Sequence, residues 1–118
     1  ERTVGHKGYD AFLRAMESRN TWAKVSGADR VTQNGNYENA VPIMQDLIGV
    51  APDRLVWGTD WPHTPERPPL EEGKVRVTLP YTDVNENKCI SVLSDACQDE
   101  ATFKSILVAN PARLYGFT

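Results

Sequence analysis

Two short apolar runs, each closed by a glycine and each preceded by an amphipathic segment, constrain this chain more than any other feature. The first, Thr21-Trp22-Ala23-Lys24-Val25-Ser26, carries β-branched and aromatic residues and stops at Gly27, so it reads as a strand. The second, Arg54-Leu55-Val56-Trp57-Gly58, is nearly all apolar at its centre, as a strand buried on both faces must be. Ahead of the first run, Tyr9, Phe12, Leu13 and Met16 fall at i, i+3, i+4 and i+7. That spacing predicts a helix over residues 9–18 with one apolar stripe. Ahead of the second, a polar stretch from Gln33 to Asn39 leads into a helix whose inner face is Ala40, Ile43, Met44, Leu47 and Ile48, closed by Pro52. Helix, strand, helix, strand is the rhythm of an α/β chain.

Two parallel strands cannot bury both of their faces by themselves. A complete (β/α)8 barrel takes about 250 residues, and this chain has 118. It therefore reads as the last βαβα portion of something larger. Its opening on Glu1 rather than Met fits the expectation of a fragment or a processed product.

Beyond the second strand the pattern breaks. Residues 61–82 hold five prolines (Pro62, Pro65, Pro68, Pro69 and Pro80) and no helical stripe, so a long loop is expected, of the kind that usually serves a site. Asp83 and Glu86 have capping-box spacing before a helix carrying Ile90 and Leu93. Asp99 is placed to cap another helix, with Phe103, Ile106 and Leu107 inward. Asn110-Pro111 has the pattern of an N-cap followed by proline at the first helical position. The expected count is two strands and four or five helices.

Composition excludes several classes of function. Hydrophobic residues at 40% and charged residues at 25% describe a globular chain rather than a disordered one. A net charge of −3 without any basic run repels phosphate backbones, so no nucleic-acid partner is expected. No apolar run approaches the roughly 20 residues that cross a bilayer, and no secretory leader is visible. A cytoplasmic protein without a membrane partner is the expectation. Cys89 and Cys97 lie eight apart in a predicted helix, roughly 12 Å by helical rise, too far for a disulfide, which needs about 7 Å or less. They read as buried thiols in a reducing compartment.

The residues that suggest chemistry follow the second strand. There the apolar run delivers Asp60 just past its C-terminal end, beyond a Gly that permits a sharp turn. Flanked by Trp57 and Trp61, this carboxylate is expected to be partly desolvated, which raises its pKa toward the range of a general base. An Asp that only caps backbone N–H groups after a strand is the competing reading. His63 falls on the expected rim, where it either contacts substrate or is simply a structural or exposed histidine. Trp61 is the tryptophan best placed to reach a pocket, whereas Trp22 and Trp57 read as core. Lys24, inside the first strand, either points inward or is a snorkelling or ion-paired lysine. His6, ahead of the first helix, does not read as a ligand.

The run LVWGTDWPHT at residues 55–64, with AKVSGADR at 23–30 and ILVANPARLYGF at 106–117, resembles the amidohydrolase superfamily of metal-dependent-hydrolase-like barrels. Within it, the match is to the branch containing 2-pyrone-4,6-dicarboxylate lactonase, and it covers nearly the whole chain from Tyr9 onward. The resemblance implies that the chain is the C-terminal portion of a single TIM (β/α)8 barrel domain, about strands seven and eight with flanking helices. It further implies that Asp60 is the catalytic Asp after strand eight, acting as general base and acid, and the proline-rich residues 61–82 beyond it are expected to form an active-site loop. On this resemblance Asp60 is expected to take a proton from water that attacks a lactone carbonyl and then to return it to the leaving oxygen. Arg30 matches a substrate-binding arginine whose fork holds a carboxylate; a solvated Arg30 paired with Asp29 is the alternative. Asp29 stands where relatives often carry an aromatic residue, and its charge opposes an anionic substrate.

The family's first-strand His-x-His pair and its later histidine would precede Glu1, so the segment is expected to lack a complete site. The implied cofactor is either none or one divalent, zinc-like ion held mainly by those histidines, with Asp60 as a metal ligand only in the second case. The expected function is hydrolysis of a cyclic ester bearing carboxylates, a pyrone or muconolactone-like small molecule from aromatic degradation. Two alternatives stand beside it: a zinc-dependent decarboxylase of the same superfamily, and a non-catalytic half-barrel. Oligomeric state has no signature in the sequence.

Overall fold

The computed structural model describes residues 7–31, 34–66, 69, 71–73 and 75–117; His6, Gln33 and Pro68 lie outside them. Helix α1 (Lys7–Glu17) buries Met16 completely and rests Leu13 on the core, while Phe12 stays 40% exposed. The chain then enters strand β1 (Ala23–Lys24). After a 3-10 turn at Ala28–Val31 and another at Tyr37–Ala40, it forms α2 (Val41–Val50). Met44 and Leu47 are buried on the face that the periodicity predicts. The chain leaves α2 at Ala51, and Pro52 opens a 3-10 turn to Arg54 that delivers strand β2 (Leu55–Val56).

The two strands pair in parallel, with Ala23 opposite Leu55 and Lys24 opposite Val56. They are shorter than the apolar runs suggest, because the ladder stops where each chain turns toward the site. Its last bond runs from Val25 N–H to Val56 O at 2.8 Å. Both C-terminal ends therefore point the same way, and the loops that follow them meet.

Three side chains secure this arrangement. Buried Arg54 donates from Nη1 to the carbonyls of Met16 (2.7 Å), Thr21 (3.0 Å) and Ser18, tying the end of α1 to the start of β2. These late and post-helical carbonyls have no intrahelical donor of their own. On the other side, buried Asn110 donates from Nδ2 to Pro52 O and Leu55 O, each at 2.8 Å. Arg113 reaches Asp53 O from the same helix.

Asn110 is thus not the expected N-cap. It lies within one helical run made of α4 (Glu100–Lys104), a π-helical stretch (Ser105–Ala109) and α5 (Asn110–Tyr115). Its backbone is helical, and its amide works outward as a double donor. Asp99 does cap the start of this run, accepting from Thr102 N–H at 2.7 Å. Gly116, at φ 73°, ends it in a left-handed C-cap.

Helix α3 (Glu86–Ala96) also begins differently from the capping-box expectation. Asn85 is the N-cap and accepts from Lys88 N–H at 3.0 Å. Asp83 lies ahead of the helix, outside regular structure, and Glu86 is turned toward His63 instead. The buried face of α3 is Cys89, Val92, Leu93 and Ala96, with Ile90 only half-buried. Both cysteines are free thiols; Cys89 is buried and Cys97 half-buried at the helix end. Among the described residues no helix is long and apolar enough to cross a membrane.

Candidate functional site

The site forms where the chain leaves the two parallel strands. From β1, Lys24 extends a side chain that is about half exposed. Three residues on, Gly27 takes φ 77°, and Arg30 N–H donates back to its carbonyl at 2.9 Å. A Cβ at Gly27 would meet Arg30 Cδ at 3.4 Å and Cγ at 3.8 Å. Glycine there supplies both the left-handed turn and the room for the Arg30 stem to fold over it.

From β2, Trp57, Gly58 and Thr59 lead to Asp60, which adopts φ 64°. Non-glycine residues seldom occupy this left-handed region, although Asp and Asn tolerate it better than most. The turn is held by Trp61 N–H donating to Thr59 Oγ1 at 3.3 Å and by His63 N–H donating to Asp60 O at 3.3 Å. The Trp61–Pro62 peptide bond is cis.

This geometry brings Asp60 between two cations. Lys24 Nζ donates to Oδ1 at 2.9 Å, and Arg30 Nε lies 3.5 Å from Oδ2. The Lys24 hydrogen bond, joined by the charges of Lys24 and Arg30, holds the carboxyl below the usual carboxylate range against the opposing effect of burial. This reverses the raised pKa expected from flanking tryptophans. The reason is exposure: the Asp60 side chain keeps 34% of its surface and Trp61 is 73% exposed, so the rings do not seal the carboxylate from water. Among the described residues, the partners of the two Asp60 oxygens are side-chain cations rather than backbone N–H groups.

His63 is no exposed rim residue. It is only 6% exposed, with φ 49°, and its Nε2 lies 3.2 Å from Glu86 Oε1. A carboxylate oxygen can only accept, so Nε2 is the nitrogen that donates in this contact. Nδ1 is buried without a hydrogen-bond partner. The carbonyl of His63 accepts from Thr82 N–H at 2.8 Å, a neck that brings these two distant backbone positions together. Arg30, His63, Thr64, Glu66 and Thr82 share a polar depression of about 260 Å³ beside this neck.

The remaining candidates fall away from the site. Trp22 lies under the Arg113 guanidinium, 5.2 Å from its ring centroid, a cation–π contact that belongs to the packing of α5. Trp57 is half-buried against the core. Burial pushes both thiols up, which leaves them protonated and poor nucleophiles. Lys24, read as inward-pointing or as a snorkelling or ion-paired lysine, is paired with Asp60, whereas Glu86, read as a capping residue, and Thr82, given no reading, were not placed in the site by the sequence. A charged residue inside a strand was the signal for Lys24; the capping-box spacing of Glu86 pointed to a different role, and Thr82 carried no signal.

The amidohydrolase family profile matches residues 2–117. The chain belongs to the amidohydrolase family. Among curated amidohydrolase-like relatives, the 4-sulfomuconolactone hydrolase of Hydrogenophaga intermedia is 34% identical over 96% of this chain and 34% of its own length. The 2-pyrone-4,6-dicarboxylate hydrolase of Comamonas testosteroni is 30% identical over 95% of the chain and 36% of its own length. The D-galactarolactone isomerase of Agrobacterium fabrum is 28% identical over 89% of the chain and 32% of its length. This amidohydrolase chain thus spans about a third of the length of the curated relatives it matches. Its fold is similar to a crystal structure of an apo protein from Agrobacterium tumefaciens, with TM-score 0.67 and 24% identity, covering 97% of this chain and 36% of the other.

The divalent ion raised by the family resemblance can be judged against the donors present. Among the described residues no group of three or more His, Cys, Asp or Glu side chains could hold a metal ion. Asp60 faces a cation at each oxygen. A metal there would have to displace or repel two like charges, so the described residues do not by themselves fit one.

Proposed function

We propose that the protein containing this chain is a cytoplasmic lactonase that hydrolyses a cyclic ester bearing anionic groups, with Asp60 as general base and then general acid. In this reading the chain, residues 1–118, is the C-terminal portion of a single (β/α)8 barrel, with β1 and β2 as its last two strands. Residues 61–82 are its active-site loop. The observation that carries the proposal is the placement of Asp60 past the C-terminal end of a parallel strand, in a left-handed turn, between Lys24 and Arg30. That edge is where barrel enzymes assemble their catalytic groups. The names of the relatives support the substrate class: sulfomuconolactone and pyrone dicarboxylate are both lactones carrying anionic substituents. Two free thiols suit a reducing compartment.

The chemistry follows from the local charges. In the free site Asp60 is fully ionised at neutral pH and weakly basic, because two cations stabilise its anion. The Arg30 contact is the looser of the two, and an arginine fork matches a substrate carboxylate or sulfonate better than a single Nε contact does. When Arg30 turns to the substrate, Asp60 loses one counter-charge and gains an anionic neighbour. Both changes raise its basicity where it must accept a proton. Water then loses a proton to Asp60 as its oxygen attacks the ring carbonyl. The carbonyl carbon–ring oxygen bond breaks, and Asp60 returns the proton to the departing oxygen, leaving the acyclic acid. His63 and Trp61 flank the carboxylate as substrate-contact residues, His63 through the polar depression and Trp61 from the exposed side.

The test is hydrolysis of 2-pyrone-4,6-dicarboxylate and 4-sulfomuconolactone by the whole protein, followed as loss of ring absorbance. Asp60→Asn keeps the left-handed turn but cannot take the proton, so turnover should fall about 100-fold or more. Wild-type protein that leaves both lactones intact, with or without added divalent metal, would overturn the proposal.

A further inference from the structure

The charged residue inside strand β1 has a place in the site but no assigned role, and the lactonase reading gives it one. We propose that Lys24 is the positioning residue of Asp60: it pins Oδ1 so that Oδ2 is the oxygen presented to water, and it stays in place when the substrate anion takes Arg30. This inference rests on the function proposed above and adds a residue to it.

Three observations carry it. Lys24 lies in the paired part of β1, opposite Val56, four residues before Asp60 in the neighbouring strand. Its Cα is therefore fixed by the ladder, unlike that of Arg30 in the following 3-10 turn. The two contacts are also unequal. Lys24 makes a hydrogen bond at 2.9 Å, whereas Arg30 Nε stands at 3.5 Å, beyond the usual range for an N–H···O bond. The longer contact is the one an incoming anion displaces. Finally, the Asp60 backbone sits in a left-handed turn that rarely forms without surrounding restraint, and Lys24 is the side chain bonded to its carboxylate.

With Oδ1 committed to the ammonium, one rotation of the carboxylate about its side-chain bonds is selected. The reaction then does not have to order the base. A role in positioning differs from a role in binding, because Lys24 faces the carboxylate rather than the open depression lined by Arg30 and His63.

The experiment compares Lys24→Met and Lys24→Arg with wild type in the whole protein, with 2-pyrone-4,6-dicarboxylate as substrate. Lys24→Met should lower kcat by about 10- to 100-fold while leaving KM within about twofold, as misplacement of a catalytic group does. Lys24→Arg, which can still donate to Oδ1, should recover much of that loss. An unchanged kcat, or a rise in KM alone, overturns the proposal; the second result would make Lys24 a substrate ligand. Should the wild type turn over no lactone, the lactonase reading fails by itself. The positioning is then read from the Lys24 ammonium signal in 1H–15N spectra. A slowly exchanging signal that disappears in Asp60→Asn upholds the contact, and its absence from wild type overturns it.

Discussion

At the scale of single residues, the site is governed by where charges sit relative to one carboxylate. Asp60 is held below the usual carboxylate range first by its hydrogen bond from Lys24 and then by the nearby positive charges. A carboxyl whose folded pKa lies below its unfolded value contributes stability that is complete above the unfolded value, about 3.9 for Asp. That contribution is lost as pH falls through the lowered folded value. Asp60→Asn should therefore be less stable than wild type at neutral pH, and the gap should close as pH drops below about 4. Urea midpoints at a neutral and an acid pH measure this directly. A gap that widened in acid would mean that Asp60 is not paired in the folded protein. The same residue shows what side-chain type alone leaves undetermined. Two tryptophans near an Asp in sequence predict desolvation, but the turn at φ 64° brings the carboxylate to Lys24 of β1 and leaves it about a third exposed.

At the scale of elements, the parallel pair is held in register by side chains from helices rather than by its own short ladder. The Asn110 amide is the clearest case. Both Nδ2 hydrogens go to carbonyls at the entry to β2, and the residue is 2% exposed. Asn110→Asp keeps the size and removes both donors, leaving two carbonyls facing a buried acid. It should destabilise by about 2–4 kcal/mol and by at least as much as Asn110→Ala, measured by urea unfolding. An Asp variant as stable as wild type would show that the tether is dispensable. The Asn-Pro pair was legible as a helix signal but not as this tether. An N-cap and a mid-helix donor use the same residue types, and only the position of β2 separates them. Asp99 was legible because a cap needs nothing beyond the next three residues. The Asp83–Glu86 spacing misled for the opposite reason: Glu86 has a better partner in His63, 23 positions away.

At the scale of the whole molecule, two strands with two paired positions make a very small sheet, below what is stable alone in water. Apolar side chains remain exposed on both sides of the chain. Trp61, Val75, Val77 and Tyr81 lie in the long loop, and Val108, Tyr115 and Phe117 near the last helix. Such surface usually marks a contact with other protein. If the chain is the last part of a barrel, the 118-residue segment produced alone should self-associate in gel filtration and bind a hydrophobic dye. The whole protein should do neither. A monomeric segment that unfolds cooperatively would instead favour an autonomous half-barrel.

The sequence by itself determined the helix–strand alternation and the parallel pair, and it singled out residues 61–82 and Asp60 as the loop and the carboxylate to test. Those rest on local periodicity, proline and glycine chemistry, and a short motif, all of which act over a few neighbouring residues. Only the tertiary structure decided the partners: Lys24 and Arg30 on Asp60, Glu86 on His63, Arg54 on the end of α1, and Asn110 on β2. Each joins residues from 23 to 55 positions apart, and their meeting depends on which way the turns at Gly27 and Asp60 send the chain. The direction of the Asp60 pKa shift belongs with them, because it depends on the distance to two cations and not on the identity of its neighbours in sequence.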